Sequence, residues 1–413
     1  MNPRLEVINT GTELLLGSVI NTHLQFLAEA LFPLGLRIER QVTVPDGRAI
    51  ADALQETFGR AQIVLITGGL GPTTDDITRD IVAELLNLEL VHDEGVMQAI
   101  EERFIRRGFT LGERVRLQAL RPREAIVLPN QNGTAPGLYL PPLPLPNCGQ
   151  SSPHIFLLPG PPRELKPMFN EAALPLLQKL VPAGASEFKR NYRITGTGES
   201  HVEERIGAEL LALGIELGYC ARPGEVDVRI IGSKAILDRA ETIILRHFAT
   251  QIVSMDESSL EKVVIKLLTE RSQTLGVAES CTGGFLAHHL TNVPGASRVF
   301  QAGFVTYAND SKTRELGVPA ELILEHGAVS AEVALAMARG VVRVADVDYA
   351  LATTGIAGPG GGTPTKPVGT VYVALASRQG KELVRHFTFR TDRETFKTLT
   401  TQAALDQLRQ QIQ

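Results

Sequence analysis

Residues 63–76 read IVLITGGLGPTTDD, and this stretch decides the fold class of the first part of the chain. Ile63–Ile66 is fully apolar, which is typical of a parallel strand covered by helices on both faces. The glycines that follow allow a ligand to approach the backbone, and free N–H groups at the start of the next helix favour anions. The stretch therefore predicts a doubly wound α/β domain with a ligand site at the carboxyl ends of its strands.

The same strand, loop and helix alternation surrounds this stretch. Further strands are predicted at Leu5–Ile8, Ile38–Val44 and Ile155–Leu158, and helix caps at Asn21 and Asp46. The proline-rich residues 141–153 predict an exposed insertion.

The pattern changes twice along the rest of the chain. Residues 189–252 alternate as a small α+β unit, and from about Ser258 helices combine with a strand at 274–278 and three later strands. No strand is predicted between 284 and about Arg343. We predict three domains, at residues 1–170, 171–254 and 255–413, since a chain of 413 residues exceeds the size of one core.

Composition narrows the function classes. The net charge of -5, from 41 basic and 46 acidic residues, gives no general attraction to nucleic acid or to anionic lipid. No stretch approaches the roughly 20 apolar residues that cross a bilayer. The three cysteines, Cys148, Cys220 and Cys281, are too far apart for a CxxC metal site and odd in number, against a disulfide framework. We expect a cytoplasmic protein without a membrane partner.

Three loops in the first segment carry unusual chemistry, at residues 9–13, 67–76 and 132–137. Thr73 and Thr74 offer hydroxyl donors to phosphate, whereas Asp75 and Asp76 in the same loop repel it unless a hard cation lies between them. The alternative is that these loops are turns and that Asp76 caps a helix. Because three such loops converge on one edge of an open α/β sheet, we favour a ligand site.

Four ordered motifs, GTELLLG, TGGLGPTTDD, NGTAPG and LPGPPRE, resemble the CinA family (competence/damage-inducible protein A), and GGLGPTTDD is similar to the molybdopterin-binding fold of MoaB, MogA and MoeA. The resemblance implies that the first domain is a metal-dependent ADP-ribose pyrophosphatase. It places a divalent metal, Mg²⁺ or a transition metal, at Asp75 and Asp76, with the choice of carboxylate left open. The substrate-binding residues that it implies are Thr10, Gly11, Glu13, Gly68, Gly69, Gly71, Thr73, Thr74, Gly133, Thr134, Ala135 and Gly137.

The middle segment resembles the KH-like module of the same family. A KH domain clamps RNA with a GxxG loop, and residues 189–252 contain none; Gly196-Thr197-Gly198-Glu199 has different spacing and a carboxylate. We therefore expect a spacer or dimer-forming role rather than nucleic-acid binding.

A nucleophile is predicted in Ala278–Gly284 (AESCTGG), at a junction of strand and helix. Ser280 needs a base, and Lys312 in the segment YANDSK becomes one if burial lowers its pKa, with Tyr307 relaying or steadying the proton. His288 and His289 are interpreted as helix residues. The N–H groups of Thr282, Gly283 and Gly284 are candidates for an oxyanion hole. Cys281 is the intrinsically better nucleophile, but only one of two neighbours on a turn faces the lysine.

This half of the chain resembles the nicotinamide mononucleotide (NMN) deamidase called PncC, whose Ser, Tyr and Lys pattern is met by Ser280, Tyr307 and Lys312. The resemblance implies hydrolysis of the NMN carboxamide without a cofactor. It favours Ser280 over Cys281 and makes Arg393 a phosphate clamp, although Thr391 replaces the family's glycine. The glycine-rich run 354–362 supplies further substrate-binding residues, namely Gly355, Ile356, Ala357 and Gly358.

Three functions remain distinct at this point. The first is a bifunctional enzyme, a homodimer, acting on NMN and ADP-ribose. The second is a DNA- or recombination-associated adaptor, which the acidic charge and the 5% aromatic content disfavour. The third is a molybdopterin-binding protein, predicted by the front motif alone.

Overall fold

The computed structural model describes residues 2–145, 149–182 and 187–413, and it divides into two compact units at Glu187 and Phe188. No helix in these residues is long and apolar enough to cross a membrane.

The first unit is built on a six-stranded sheet. Its strands are β1 (Leu5–Thr10), β2 (Ile38–Val44), β3 (Ile63–Thr67), β4 (Leu90–His92), β5 (Leu120–Pro122), β6 (Ile126–Leu128), β7 (Gly137–Leu140) and β8 (His154–Leu158). Six of these eight strands form the main sheet, in the order β2-β1-β3-β8-β7-β6, and β4 and β5 form a separate two-stranded antiparallel sheet. Strands β2, β1, β3 and β8 are parallel, and β7 pairs antiparallel with both β8 and β6. The helices are α1 (Thr12–Leu15), α2 (His23–Leu31), α3 (Ala49–Gln55), α4 (Thr78–Leu85), α5 (Glu94–Arg107), α6 (Glu113–Arg116), α7 (Pro162–Met168) and α8 (Leu174–Leu180), with short turns at Phe32–Leu34, Leu117–Ala119 and Phe169–Ala173.

Strand β3 explains why this sheet is covered on both faces. Ile63 and Leu65 pack into one apolar cluster, whereas Val64 and Ile66 pack into another. Side chains alternate between the faces of a strand, so four consecutive apolar residues require a core on each side.

The second unit contains two sheets. The first part comprises β9 (Phe188–Thr195), α9 (Glu199–Val202), α10 (Ala208–Leu211), β10 (Glu216–Arg222), β11 (Glu225–Gly232), α11 (Lys234–Phe248) and β12 (Ile252–Ser254), with a π-helical turn at Glu203–Gly207. Its antiparallel sheet has the order β10-β11-β9-β12.

The second part carries a sheet of order β14-β13-β15-β16-β17, with β14, β13 and β15 parallel. Its elements are α12 (Leu260–Glu270), β13 (Leu275–Glu279), α13 (Phe285–Thr291), a 3₁₀ turn (Ala296–Arg298), β14 (Phe300–Val305), α14 (Asn309–Leu316), α15 (Ala320–His326), α16 (Ala331–Ala345), β15 (Tyr349–Gly355), β16 (Thr370–Ser377), β17 (Glu382–Thr388) and α17 (Arg393–Ile412).

Three local expectations are corrected by the structure. Asp46 does not cap α3; it accepts hydrogen bonds from the N–H and hydroxyl of Thr12. Strand β14 lies where only helices were predicted, because an edge strand that alternates partly buried with exposed residues has no apolar run. The insertion 141–153 is partly packed, with Leu145 and Ser152 buried and Pro144 bridging to Ser151; residues 146–148 lie outside the described residues.

Candidate functional site

The front loops meet at one edge of the first sheet. The loops after β1, β3 and β8 leave the carboxyl ends of parallel strands, and the loop before β7 reaches the same edge because β7 is antiparallel. They surround a cavity of about 510 Å³. The predicted residues that line it are Thr10, Gly11, Glu13, Gly68, Gly69, Gly71, Asp75, Asp76, Thr134 and Ala135.

Glycine is required at the centre of this edge. Gly68 and Gly69 have φ of 104° and 67°, and a Cβ on Gly69 would lie 2.1 Å from the Thr78 hydroxyl. The Gly68 N–H donates to the Leu158 carbonyl. The two glycines therefore let β3 turn sharply against β8 beside the cavity.

The acidic loop is organised by Thr73. The Thr73 hydroxyl lies within hydrogen-bond distance of carboxylate oxygens of both Asp75 and Asp76, to which its single hydrogen can be donated, and the Thr73 N–H donates to Asp76 at 2.9 Å. The hydroxyl of Thr73 lowers the pKa of the Asp75 carboxyl, so two carboxylates converge on one point at the cavity rim. Among the described residues no three His, Cys, Asp or Glu side chains form a closed metal cage. Mg²⁺ is usually held by one or two carboxylates together with substrate phosphates and water, and the pair fits that demand.

Four predicted front residues do not line the cavity: Thr73, Thr74, Gly133 and Gly137. The Thr73 hydroxyl is already used by the two aspartates, and Thr74 is exposed. Gly137 lies inside β7, where a Cβ would be 2.4 Å from the Met168 sulfur. Close packing of β7 against Met168 of α7 therefore requires a glycine at this position.

Sequence reasoning did not predict six polar residues that line the same cavity, namely Asn21, Thr22, His23, Asp46, Gln118 and Glu164. Gln118 is buried, and its Oε1 has no hydrogen-bond partner among the described residues. The buried Nδ2 of Asn21 also lacks a hydrogen-bond partner there. Burial lowers the pKa of His23, and Glu164 accepts a hydrogen bond from Asn130 at 2.9 Å. Unpaired buried polar atoms are costly unless a ligand or water satisfies them. Only their position in space marks these residues, because they come from several segments that are distant in sequence.

The back site is built where two neighbouring parallel strands end. Ser280 follows the interior strand β13, and its N–H donates to the Thr353 carbonyl of β15 at 3.0 Å. Lys312 lies on α14, which follows β14. The Lys312 Nζ is 3.1 Å from the Ser280 Oγ and donates to the Thr306 carbonyl at 2.8 Å. The structure thus brings together the predicted nucleophile and base.

Lys312 is unusual for a lysine. Its side chain is 1% exposed, and no carboxylate pairs with it among the described residues. Burial lowers its pKa, because the charged ammonium loses hydration that its two neutral partners do not fully replace. A neutral amine there donates one N–H to the Thr306 carbonyl, which leaves its lone pair free for the Ser280 hydroxyl.

Cys281 occupies a different environment from Ser280. It is 5% exposed within the apolar cluster, and burial raises the pKa of its thiol to about 12. The thiolate is the reactive form of cysteine. This burial argues against Cys281 as the nucleophile.

Glu279 holds the turn that carries Ser280. This carboxylate is fully buried and accepts hydrogen bonds from the N–H groups of Gly284, Leu286 and Ala287 at 2.9, 3.0 and 2.8 Å. The Gly283 N–H donates to the Ser280 carbonyl at 3.2 Å. The N–H groups of Gly283 and Gly284 therefore already donate hydrogen bonds within the turn. Of the three N–H groups predicted for an oxyanion hole, that of Thr282 remains as the candidate.

Arg393 forms hydrogen bonds with two other predicted parts of the site, the loop that contains Gly358 and the side chain of Tyr307. It begins α17, which Asp392 caps by accepting from the N–H groups of Glu394 and Thr395. Its guanidinium donates to the Gly358 carbonyl at 2.8 Å and to the Tyr307 hydroxyl at 2.9 Å. Tyr307 is thus placed with Arg393, and no hydrogen bond joins it to Ser280 or Lys312 in the described parts of the chain.

The loop after β15 is fixed to the next strand. Gly355 ends β15, the Ile356 N–H donates to the Thr370 carbonyl, and the Gly369 N–H donates back to Ile356. Ala357 and Gly358 are buried. The predicted residues 355–358 are therefore held in place by backbone hydrogen bonds, and the Gly358 carbonyl accepts a hydrogen bond from Arg393.

Three family models match successive parts of the chain. They are "Probable molybdopterin binding domain" over residues 6–179, "Damage-inducible protein CinA KH domain" over 189–255 and "CinA C-terminal domain" over 257–412. These matches confirm the predicted fold class: a MoaB/MogA-like domain, a KH-like middle domain and a CinA C-terminal domain, all of mixed α and β structure.

Relatives of similar length exist. A "CinA-like protein" of Akkermansia muciniphila is 44% identical over 403 residues, which are 97% of this chain and 96% of that protein. Two solved structures cover less of the chain. The competence/damage inducible protein CihA of Agrobacterium tumefaciens is 41% identical over 36% of this chain and 91% of its own, with a TM-score of 0.36. CinA of Thermoplasma acidophilum is 26% identical over 43% and 98%, with a TM-score of 0.37.

Proposed function

The chain belongs to the CinA family, and on that premise we propose that its C-terminal domain is an amidohydrolase that converts NMN to nicotinate mononucleotide and ammonia. One observation carries the proposal: a buried lysine, which has no carboxylate partner among the described residues, lies 3.1 Å from a serine hydroxyl that follows an interior strand of the sheet. Burying a lysine amine is costly, and such groups cluster at functional sites.

The reaction proceeds in two steps. The Ser280 Oγ attacks the carboxamide carbon while Lys312 accepts the hydroxyl proton, and Lys312 then gives this proton to the departing nitrogen, which leaves as ammonia. Water attacks the resulting ester; Lys312 takes its proton and returns it to Ser280 as the carboxylate product forms. The Thr282 N–H stabilises the oxyanion in both steps.

Arg393 supplies the charge that selects a nucleotide. Arg393 is exposed, and its guanidinium is held by two neutral partners, Gly358 and Tyr307, with no ion pair to a carboxylate in the part of the chain that the structure describes. A guanidinium suits the 5′-phosphate of NMN, which it binds through paired hydrogen bonds.

We also propose that the front cavity hydrolyses ADP-ribose to AMP and ribose 5-phosphate. The unpaired atoms of Gln118 and Asn21 support a polar ligand in this cavity. Asp75 and Asp76 would hold the divalent metal, which when bound neutralises the pyrophosphate and activates water. Glu13 and Glu164 also line the cavity, and in this proposal one of them accepts the proton of the attacking water. Both proposed activities use products of NAD breakdown, and we propose that the protein acts in the cytoplasm. We propose separately that it is a homodimer.

Purified protein incubated with NMN, and separately with ADP-ribose plus Mg²⁺ or Co²⁺, tests both assignments. Ammonia and AMP are the expected products, and absence of both rejects the bifunctional enzyme. A molybdopterin function for the same cavity is tested by thermal shift, since a pterin would then stabilise the protein more than ADP-ribose does. Salt-dependent DNA binding near physiological ionic strength would instead favour an adaptor.

A further inference from the structure

A second cavity lies beside the front site. It has a volume of about 580 Å³ and shares Thr134 with the first cavity. Helix α5 forms one wall, and residues 129–134 form part of another. A cavity of this size accommodates a sugar phosphate or a comparable small ligand.

Arg103 gives this cavity its chemistry. Ile100, one helical turn earlier on α5, is buried in an apolar cluster, so the same helix face brings Arg103 to the cavity wall. Arg103 donates to the Gln131 carbonyl at 2.9 Å, whereas its buried Nε–H has no partner among the described residues. A buried donor without an acceptor calls for a ligand that supplies one.

Arginine side chains cluster around Arg103. Burial, together with the charges of Arg107, Arg106 and Arg163, lowers the pKa of Arg103, while the Glu164 carboxylate acts in the opposite direction; Arg106 also lines the cavity. Of the two acidic residues that line the cavity, Asp93 is paired with Arg121 at 2.7 Å, whereas Glu102 accepts from the neutral Gln98 at 3.1 Å and keeps its negative charge. Cations near a helix C-terminus are common, but that preference leaves the desolvated Nε–H unexplained.

We propose that this cavity, lined by Arg103 and Arg106, binds the dianionic phosphate monoester of a sugar phosphate or nucleotide. Guanidinium groups match phosphate oxygens with paired, charge-assisted hydrogen bonds, and the free Nε–H of Arg103 supplies one of them. Thr134 connects the site to the front cavity. The ligand has two sources: an additional phosphate on an ADP-ribose substrate, or the ribose 5-phosphate product. The identity of the source rests on the proposed ADP-ribose hydrolysis, whereas the anion site does not.

Calorimetric titration of the full chain with ribose 5-phosphate, in metal-free buffer of fixed ionic strength, tests the site without turnover. Ribose 5-phosphate binds and ribose does not. Arg103→Gln weakens binding at least tenfold, and so does Arg106→Gln, an exposed position at which folding is not at risk. Arg114→Gln is the matched control, since it removes the same charge from an exposed position outside the cavity; its affinity stays within twofold of wild type. Unchanged affinity in both Arg103→Gln and Arg106→Gln overturns the proposal, whether or not ADP-ribose is hydrolysed.

Turnover then separates the two sources. If the phosphate belongs to the substrate, Arg103→Gln lowers kcat/KM for ADP-ribose carrying a 2′-phosphate and leaves that for plain ADP-ribose unchanged. If it belongs to the product, Arg103→Gln relieves inhibition by ribose 5-phosphate. If Arg103→Gln causes neither of these kinetic effects and the affinity for ribose 5-phosphate is also unchanged, the proposed site is rejected.

Discussion

At the scale of single residues, the deamidase proposal depends on a lysine that folding keeps away from water. Lys312 is 1% exposed, and its Nζ has two neutral neighbours, the Ser280 hydroxyl and the Thr306 carbonyl. A structural role for such a lysine would call for a carboxylate partner. The free-energy cost of burying this amine is instead consistent with a lysine that is kept neutral to act as a general base.

Replacing Lys312 by methionine separates function from stability. We expect Lys312→Met to lower kcat for ammonia release by about 10²–10⁴-fold, the usual contribution of a general base, and to raise the free energy of unfolding by about 1 kcal/mol, because a buried amine is exchanged for an apolar chain. Ammonia assays and chemical denaturation measure the two effects. Lys262→Met, at an exposed position, is the control. Loss of stability without loss of activity would make Lys312 a structural residue.

The pH dependence follows from the direction of the Lys312 pKa. Burial lowers this pKa, so the reactive neutral amine forms at lower pH than in a free lysine. We expect kcat/KM to rise with pH and to level off below the ordinary lysine value of about 10.4. Between the folded and unfolded pKa values the unfolded chain binds more protons, so the contribution of Lys312 to stability rises with pH there. A kcat/KM that is flat or falls with increasing pH over this range contradicts the assignment of the base.

At the scale of elements, the turn that carries Ser280 depends on a buried carboxylate. Glu279 accepts three backbone N–H groups at the start of α13. A glutamine accepts hydrogen bonds only at its Oε1, because its Nε2 is a donor. We therefore expect Glu279→Gln to lower stability by about 1–3 kcal/mol and to lower kcat more than it changes KM, because the turn no longer fixes Ser280.

Glu321→Gln, in the first turn of α15, provides the comparison for Glu279→Gln, since it removes an exposed glutamate from a helix start. Its stability and kcat stay near wild type. Equal effects of the two substitutions would show that Glu279 acts only through helix electrostatics.

The sequence predicted strongly patterned elements and missed weakly patterned ones. Ile63–Ile66 was identifiable because its four apolar residues need a core on each face, and both cores are present. Strand β14 was not, because its pairing with β13 is a long-range contact that leaves no local apolar run. Asp46 shows the same limit: its acceptor role was predicted, but its partner is Thr12, 34 positions away.

Site residues were predictable where a motif carried them. Ser280 and Lys312 come from short segments with distinctive residue types, and the structure places them in contact. Gln118, His23 and Glu164 come from three separate segments and line a common cavity only after folding. The use of the Gly284 N–H by Glu279 was also not visible in sequence, because it depends on the geometry of the turn.

At the scale of the whole molecule, the two proposed activities reside in separate compact units. We expect Ser280→Ala to abolish ammonia release from NMN and to leave ADP-ribose hydrolysis within twofold of wild type. Asp76→Asn should do the reverse, with a fall of at least tenfold in AMP formation, because it removes one of two carboxylates that converge at the cavity rim. Parallel assays on the full chain measure both. Loss of both activities in either variant would contradict independent sites.

The central claim, that Ser280 is acylated with Lys312 as its base, is tested most directly by rapid quenching of the NMN reaction and mass spectrometry of the peptide that contains residues 280 and 281. The account predicts that wild type carries the nicotinoyl nucleotide ester on Ser280 and that the Ser280→Ala and Lys312→Met variants carry no adduct. An adduct on Cys281, or undiminished ammonia release by Ser280→Ala, would contradict it.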